Sequence, residues 1–136
     1  MPNFTITGTD FATVFVADLN KAQEFYGATL GLERSKLYAR GGENPIGAEY
    51  ETGSLTLQLI DAAAIGREFK PSGHPIAFHV EDVEAARQEL ESAGVTFYGE
   101  TMDSGVCRMA YFTDPDGNSL MFHHRYAAAG ERPKYG

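Results

Sequence analysis

The side chains that could do chemistry in this chain begin with four histidines: His74, His79, His123 and His124. An imidazole that faces a cavity can act near neutral pH as an acid, a base or a hydrogen-bond partner. We single out His79 as the candidate catalytic residue, because it lies near the end of an apolar strand-like run and is expected to point inward. The alternative is a histidine whose hydrogen bonds are satisfied by neighbouring strands.

A metal site is a second possibility for the same residue type. His123 and His124 are adjacent, so on a strand they point to opposite faces and only one of them can enter a given cavity. His123 with His74 and His79 would make a histidine cluster if the fold brings them together. The single cysteine, Cys107, excludes an internal disulfide framework and a thiolate zinc cluster within one chain.

Composition narrows the class of protein. The chain has 136 residues and a net charge of −8, which suits one domain or two small half-domains sharing a core. No cluster of basic residues is available to bind a nucleic-acid backbone, so nucleic acid is not expected as a partner. The first residues lack the basic and apolar regions of a signal peptide, and no run is long enough to span a membrane. We therefore expect a cytoplasmic protein with no membrane partner.

The first half of the chain reads as strand, helix and three strands. Residues 11–17 are typical of a buried strand, and Asp18 is expected to cap the helix that follows. That helix is predicted to begin at Leu19, to run for about three turns and to stop at Gly31. Strands are expected near residues 34–39, 47–51 and 54–60, separated by turn signals at residues 41–45 and 52–53.

The second half repeats this order. A strand at 75–80 precedes the cap Asp82 and a helix that stops at Gly94. Strands follow at 95–98, 105–113 and 118–124, the last two joined by the turn sequence of residues 114–117. Val16-Ala17-Asp18 and Val80-Glu81-Asp82 occupy the same place in the two halves, 64 positions apart. The pattern predicts an α+β fold of two βαβββ modules, with module one at about 9–62, a linker at about 63–73, module two at about 74–126 and a loosely held tail at 127–136.

These motifs resemble the vicinal oxygen chelate superfamily, which includes glyoxalase I, extradiol dioxygenases, and fosfomycin and bleomycin resistance proteins. The resemblance rests on Val16-x-Asp18 with Phe25-Tyr26 and Leu30-Gly31, and on Val80-x-Asp82 with Asp114-Pro115-Asp116-Gly117. It implies a single domain of two modules forming a cupped mixed sheet around a ligand cavity, often in a homodimer. One fold of this kind hosts several chemistries, so the resemblance is not specific for function.

The resemblance also implies where a divalent metal would be held, on one side chain from each of four strands. Those positions fall here on Phe11, Gln58, Pro75 and Met121. Phenylalanine and proline offer no ligand atom, and a thioether is a poor ligand for hard cations. The usual metal centre is therefore expected to be absent. A rearranged site for one divalent ion on His74, Gln58 and His123 is the alternative.

Residues that share the parity of those four positions should face the cavity, because side chains alternate along a strand. The inventory is mostly apolar and aromatic, as in pockets for organic ligands. The expected ligand-binding residues are Phe11, Thr13, Phe15, Thr56, Gln58, His79, Arg108, Tyr111, Met121 and His123, with Arg108 and Tyr111 at the cavity mouth. Tyr38, Glu49 and Tyr50 are interpreted as sheet packing.

Two main functions fit this inventory. The first is a metal-independent protein of the bleomycin-resistance type that sequesters an aromatic or polycyclic compound. The second is a glyoxalase-like lyase, isomerase or dioxygenase that uses His79 as general base or a divalent metal at the rearranged site. A regulatory module with a protein partner is a third possibility.

Overall fold

A computed structural model describes residues 2–39 and 44–127. The chain divides into two compact units, Met1–Phe69 and Lys70–Gly136, and the boundary falls inside the segment 63–73. The predicted turn signal at Gly41, Gly42 and Glu43 and nearly all of the predicted tail lie outside the described residues.

The described part of the first unit contains four strands and one interrupted helix. Strand β1 (Phe11–Val16) leads into helix α1 (Leu19–Gln23), and β2 (Glu33–Tyr38), β3 (Gly47–Glu51) and β4 (Thr56–Asp61) follow. The sheet order is β1-β4-β3-β2, with β1 parallel to β4 and the other pairs antiparallel. A short 3-10 helix, Ala63–Ile65, comes after β4.

The second unit has the same arrangement. Strand β5 (Ile76–His79) leads into helix α2 (Val83–Ser92), and β6 (Phe97–Asp103), β7 (Cys107–Thr113) and β8 (Ser119–Arg125) follow. The sheet order is β5-β8-β7-β6, with β5 parallel to β8. The predicted α+β class and the two βαβββ modules are therefore confirmed, and each module forms its own mixed sheet.

The two helix caps show how closely the local structure repeats. Asp18 has φ −131° and ψ 99° and accepts a hydrogen bond from the Lys21 amide. Asp82 has φ −132° and ψ 100° and accepts one from the Ala85 amide. Each carboxylate satisfies an amide at the start of its helix that has no partner within the helix.

The core of each unit lies between its sheet and its helix. In the first unit Val14, Val16, Leu57 and Leu59 are buried on this face, and in the second unit Ala110, Phe112, Leu120 and Phe122 are buried in the equivalent way. Alternation along the strands then places the intervening side chains on the opposite face, which we call the open face of each sheet.

Strands β4 and β7 begin two residues later than predicted, and two other elements differ further. The first predicted helix is α-helical only to Gln23 and continues as a π-helix, Glu24–Thr29, in which the Leu30 amide bonds the Phe25 carbonyl at 2.8 Å. This wider turn accompanies the burial of two adjacent rings, Phe25 and Tyr26, packed edge to face. Strand β6 begins two residues later than predicted and extends to Asp103, with a register shift between Tyr98 and Met102.

Among the described residues, the helices are too short or too polar to cross a membrane.

Candidate functional site

The open face of the first sheet forms a pocket of about 610 Å³. It is built from alternate residues of β1, β2, β3 and β4 together with the segments that follow β2 and β4. Its lining is Thr13, Phe15, Lys36, Tyr38, Ala39, Ile46, Glu49, Gln58, Ile60 and Ile65. Three of the residues predicted to bind ligand, Thr13, Phe15 and Gln58, therefore lie together in one pocket.

Two polar side chains of this pocket, Thr13 and Gln58, are hydrogen-bonded to each other. Thr13 and Gln58 face each other across the parallel pair β1 and β4, and the Thr13 hydroxyl donates to Gln58 Oε1 at 2.8 Å. This leaves the Gln58 amide hydrogens to serve other groups. The buried Tyr38 hydroxyl has no hydrogen-bond partner of normal geometry among the described residues. Tyr38 and Gln58 both line the pocket, so a hydroxyl and an amide are available to bond a bound molecule.

Burial has the largest influence on the pKa of Tyr38. Burial raises the pKa of the Tyr38 phenol above its ordinary value, and the nearby Glu49 carboxylate raises it further, while Gln58 acts in the opposite sense. Lys36 lies across the strand pair from Glu49, with its ammonium 5.4 Å from the centre of the Tyr38 ring. The pocket thus presents a phenol, an amide and both signs of charge.

Gly47 is the residue that makes room for Tyr38. A Cβ atom at this position would lie 2.7 Å from Tyr38 Cε2 and 2.9 Å from Ile60 Cδ1. These distances are shorter than real carbon contacts, so any side chain at position 47 must displace the Tyr38 ring or Ile60.

Apolar surface supplies the rest of the pocket. Phe15 presents an aromatic ring, which is covered in part by the Arg67 guanidinium at 4.4 Å from its centre. Ile46, Ile60 and Ile65 complete the apolar lining. An apolar wall with a few placed polar groups is the usual composition of a site for a small organic molecule.

Two residues predicted to bind ligand lie on the same face but outside this lining. Phe11 is exposed at the start of β1. Thr56 pairs with it and donates its hydroxyl to Glu51 at 2.7 Å. A hydrogen bond from Ser35 and, after it, the one from Thr56 hold the pKa of the Glu51 carboxyl below its ordinary value.

The open face of the second sheet carries a different set of predicted residues. Met121 is buried and lies opposite Tyr111 on β7, while His123 lies opposite Met109. The Tyr111 hydroxyl contacts the Met109 sulfur at 4.0 Å. Sulfur and aromatic side chains therefore occupy this face.

Arg108 and Tyr111 do not share a face, contrary to the expectation that both line one cavity mouth. Arg108 pairs with His124 and Tyr111 pairs with Met121, and positions three apart on a strand point in opposite directions. The Arg108 guanidinium lies 3.7 Å from Asp103 Oδ2 and over the ring of Tyr126. It borders a smaller pocket of about 380 Å³ with Glu81, Asp82, Val83, His124 and Tyr126.

His79 lies beside Glu81 and His124, which were not predicted from the sequence as its neighbours. It pairs with His123 along the β5–β8 ladder, but its ring lies 5.6 Å from that of His124, and its Nε2 is 3.0 Å from Glu81 Oε1. This hydrogen bond and the histidine charge hold the pKa of the Glu81 carboxyl below its ordinary value. The cluster of potential metal-ligating groups found in the described part of the chain is His79, Glu81 and His124, which includes neither His74 nor His123.

Sequence reasoning missed Lys36, Tyr38 and Glu49 as pocket residues and Glu81 and His124 as partners of His79. Alternation along β2 and β3 could have placed Tyr38 and Glu49 on the face of the sheet that points away from Tyr50, which is buried. The interpretation of all three as sheet packing holds for Tyr50, but Tyr38 and Glu49 line the pocket. The spacing His79-x-Glu81 was a usable signal for the second cluster, because residues two apart on an extended chain share a side.

The residues present do not fit the metal centre that the family resemblance implies. Of the four implied positions, Phe11, Pro75 and Met121 offer no oxygen or nitrogen side-chain ligand. The fourth, Gln58, already uses its carbonyl oxygen as the acceptor for Thr13.

Comparisons with known proteins agree with this fold. Residues 8–122 match the Glyoxalase/Bleomycin resistance protein/Dioxygenase superfamily, and the chain belongs to that family. It is 36% identical over 135 residues to a glutathione transferase FosA of Serratia marcescens, covering 91% of this chain and 89% of the relative.

Two solved structures show the same fold. A member of the superfamily from Sphaerobacter thermophilus DSM 20745 is 29% identical, with a TM-score of 0.71 over 87% of this chain and 97% of the other. TnmS3, an antibiotic binding protein from Streptomyces sp. CB03234, is 24% identical, with a TM-score of 0.73 over 90% of this chain and 99% of the other.

Proposed function

We propose that this protein binds a small aromatic or polycyclic organic molecule in the first-unit pocket and that this binding needs no metal. The observation that carries the proposal is the pocket itself, in which the Tyr38 phenol, the Gln58 amide and the Phe15 ring converge. A flat ring would pack on Phe15 and the isoleucines, and a polar substituent would bond Tyr38 and Gln58. The acidic net charge of −8 favours the approach of a cationic compound.

The test is an equilibrium titration of untagged protein in the presence of EDTA. Two fluorescent probes cover both signs of charge: proflavine, a cationic tricyclic compound, and 8-anilinonaphthalene-1-sulfonate, an anionic one. We expect saturable binding of at least one probe at one site per chain. Binding should weaken at least about tenfold in Phe15→Ala, which corresponds to about 1.4 kcal/mol.

The matched control is Tyr98→Ala, which removes an exposed ring from the second unit and should leave the affinity unchanged. Saturable binding that survives Phe15→Ala, or the absence of saturable binding of both probes, contradicts the proposal. Binding that is lost when EDTA is added contradicts its metal-independence.

An enzymatic function is the second candidate, and the 36% identity to a protein named a glutathione transferase favours it. Within this chain the supporting geometry is the His79–Glu81 pair at 3.0 Å, since a carboxylate beside an imidazole can orient a general base. Incubation with glutathione and 1-chloro-2,4-dinitrobenzene, with and without Mn²⁺, measures this activity by absorbance. Turnover that disappears in His79→Ala while the variant folds normally would establish the enzyme in place of the binding protein.

Homodimerisation stays a prediction of the family resemblance. Light scattering of the eluted protein measures the mass directly, and we expect twice the mass of one chain.

A further inference from the structure

The second unit contains a cluster that the proposed pocket does not use. His79 ends strand β5 and His124 lies near the end of the neighbouring strand β8, and the parallel pairing of these strands brings both ends to one edge of the sheet. Glu81 follows two residues after His79. One ring nitrogen of each histidine and one carboxylate oxygen of Glu81 all lie within 4.8 Å of one another.

The separation of these atoms suits closure around a cation. Zinc holds nitrogen and oxygen ligands at about 2.0–2.2 Å, which places tetrahedral ligand atoms about 3.3–3.6 Å apart. His79 Nε2 and Glu81 Oε1 are already 3.0 Å apart. The side chains of His79 and Glu81 are 63% and 87% exposed, so both can rotate toward His124 without disturbing the core.

His124 supplies an independent observation. Its Nδ1 atom is buried and has no hydrogen-bond partner among the described residues. A buried imidazole nitrogen without a partner is costly, whether it carries a proton or a lone pair. A cation or a proton donor bound to Nδ1 would remove that cost.

The charges around the cluster do not exclude a cation. Arg108 carries an opposing charge: it pairs with His124 across β7 and β8 and borders the same pocket, but it lies 3.7 Å from the Asp103 carboxylate. The amino end of α2 also opposes a cation through its partial positive charge. Asp82 caps that end, and with Glu81 and Glu84 it places three carboxylates within four residues of the chain.

We propose that His79, Glu81 and His124 form a binding site for a divalent transition-metal cation of the zinc type. Two imidazoles and one carboxylate are a donor set that such cations accept, and three protein ligands leave a coordination position open. The cation takes the place of the hydrogen between His79 Nε2 and Glu81 Oε1, and the neutral imidazole that binds it carries its one N–H on Nδ1. None of the three residues lines the first-unit pocket, so the site is separate from the proposed ligand site.

Titration of the untagged protein with Co²⁺ tests this directly, because a tetrahedral cobalt site absorbs strongly in the visible range and hydrated cobalt does not. We expect one Co²⁺ per chain, displaced by one Zn²⁺. His79→Ala, Glu81→Gln and His124→Ala should each weaken the affinity at least about tenfold, since even indirect partners of a metal ligand change affinity by this factor.

The other two histidines provide matched controls in the same unit. His74→Ala and His123→Ala should bind Co²⁺ as the wild type does, and circular dichroism without metal verifies that every variant is folded. Absence of stoichiometric binding, or equal losses in the control variants, overturns the proposal. So does thermal stabilisation by inorganic phosphate but not by Zn²⁺, which would assign the cluster to an anion. Probe binding in EDTA is measured separately, so failure here leaves the proposed function standing and the reverse also holds.

Discussion

The two units have one backbone plan and two different open faces. The ladders place Thr13, Phe15 and Gln58 of the first unit at the positions of Ala77, His79 and Met121 of the second. Across β2 and β3, Tyr38 and Gly47 correspond to Met102 and Met109. The first unit thus has a phenol, an amide and a glycine where the second has three methionines.

This difference shows that side chains, and not the strand order, decide which sheet carries a pocket. In the first unit the absent side chain at Gly47 leaves space that the Tyr38 ring enters. In the second unit methionine, a flexible filler of irregular gaps, stands at the same position. The side chains of the second unit that could bind a cation lie instead at the strand ends, where the rings of His79 and His124 are 5.6 Å apart.

The largest expected effect tests whether the two cores are equivalent. Leu57 and Leu120 hold corresponding positions and both are fully buried. Leu57→Ala and Leu120→Ala should each lower the free energy of unfolding by about 2–5 kcal/mol, through lost burial and a residual cavity. Urea denaturation followed by circular dichroism measures both, and Leu37→Ala at an exposed site should cost less than about 0.5 kcal/mol. A small effect at only one of the two buried sites would break the equivalence.

The next prediction replaces Gly47 of the first unit by methionine, the residue type at the corresponding position of the second unit. We expect a smaller effect on stability and a large effect on binding. In Gly47→Met the added Cβ atom would lie 2.7 Å from Tyr38 Cε2, so the new side chain collides with the Tyr38 ring. Overpacking should cost about 1–3 kcal/mol of stability, and probe affinity should fall at least about tenfold because Tyr38 is displaced. Gly8→Met, at a position with no atom within 4 Å of a Cβ, is the control. Unchanged probe binding in Gly47→Met would show that binding in the pocket does not need the space at Gly47.

The smallest effect concerns alkaline pH. Burial raises the pKa of Tyr38 and Tyr50 above the ordinary value of 10.0. The unfolded chain therefore ionises these phenols first, and their contribution to stability is complete below pH 10 and is lost as the pH rises above it. Urea midpoints at about pH 8 and about pH 11 should differ less in the double variant Tyr38→Phe, Tyr50→Phe than in the wild type. An equal loss in both proteins would contradict the assignment.

Much of the fold could be predicted from the sequence because its signals are local. Asp18 and Asp82 have the spacing of helix caps, and Gly31 and Gly94 adopt the left-handed conformation expected after each helix. The π-helix at Glu24–Thr29 could not be predicted, since its hydrogen bonds depend on the packing of Phe25 and Tyr26 in the finished core.

The site could be predicted only in part. Strand parity correctly grouped Thr13, Phe15 and Gln58, because alternation is a property of any strand. The space at Gly47 and the approach of His124 to His79 depend on register and side-chain rotation. Neither can be obtained from spacing along one chain.

The central claim is that the first unit, without a metal, holds the ligand. Its most direct test is a ¹⁵N–¹H correlation spectrum of the labelled protein in EDTA, recorded during titration with proflavine and then with 8-anilinonaphthalene-1-sulfonate. The account predicts that the largest shifts fall on amides of β1, β3 and β4 around Phe15, Glu49 and Gln58. Shifts centred on β5, β7 and β8, or shifts that need added Zn²⁺, would contradict it.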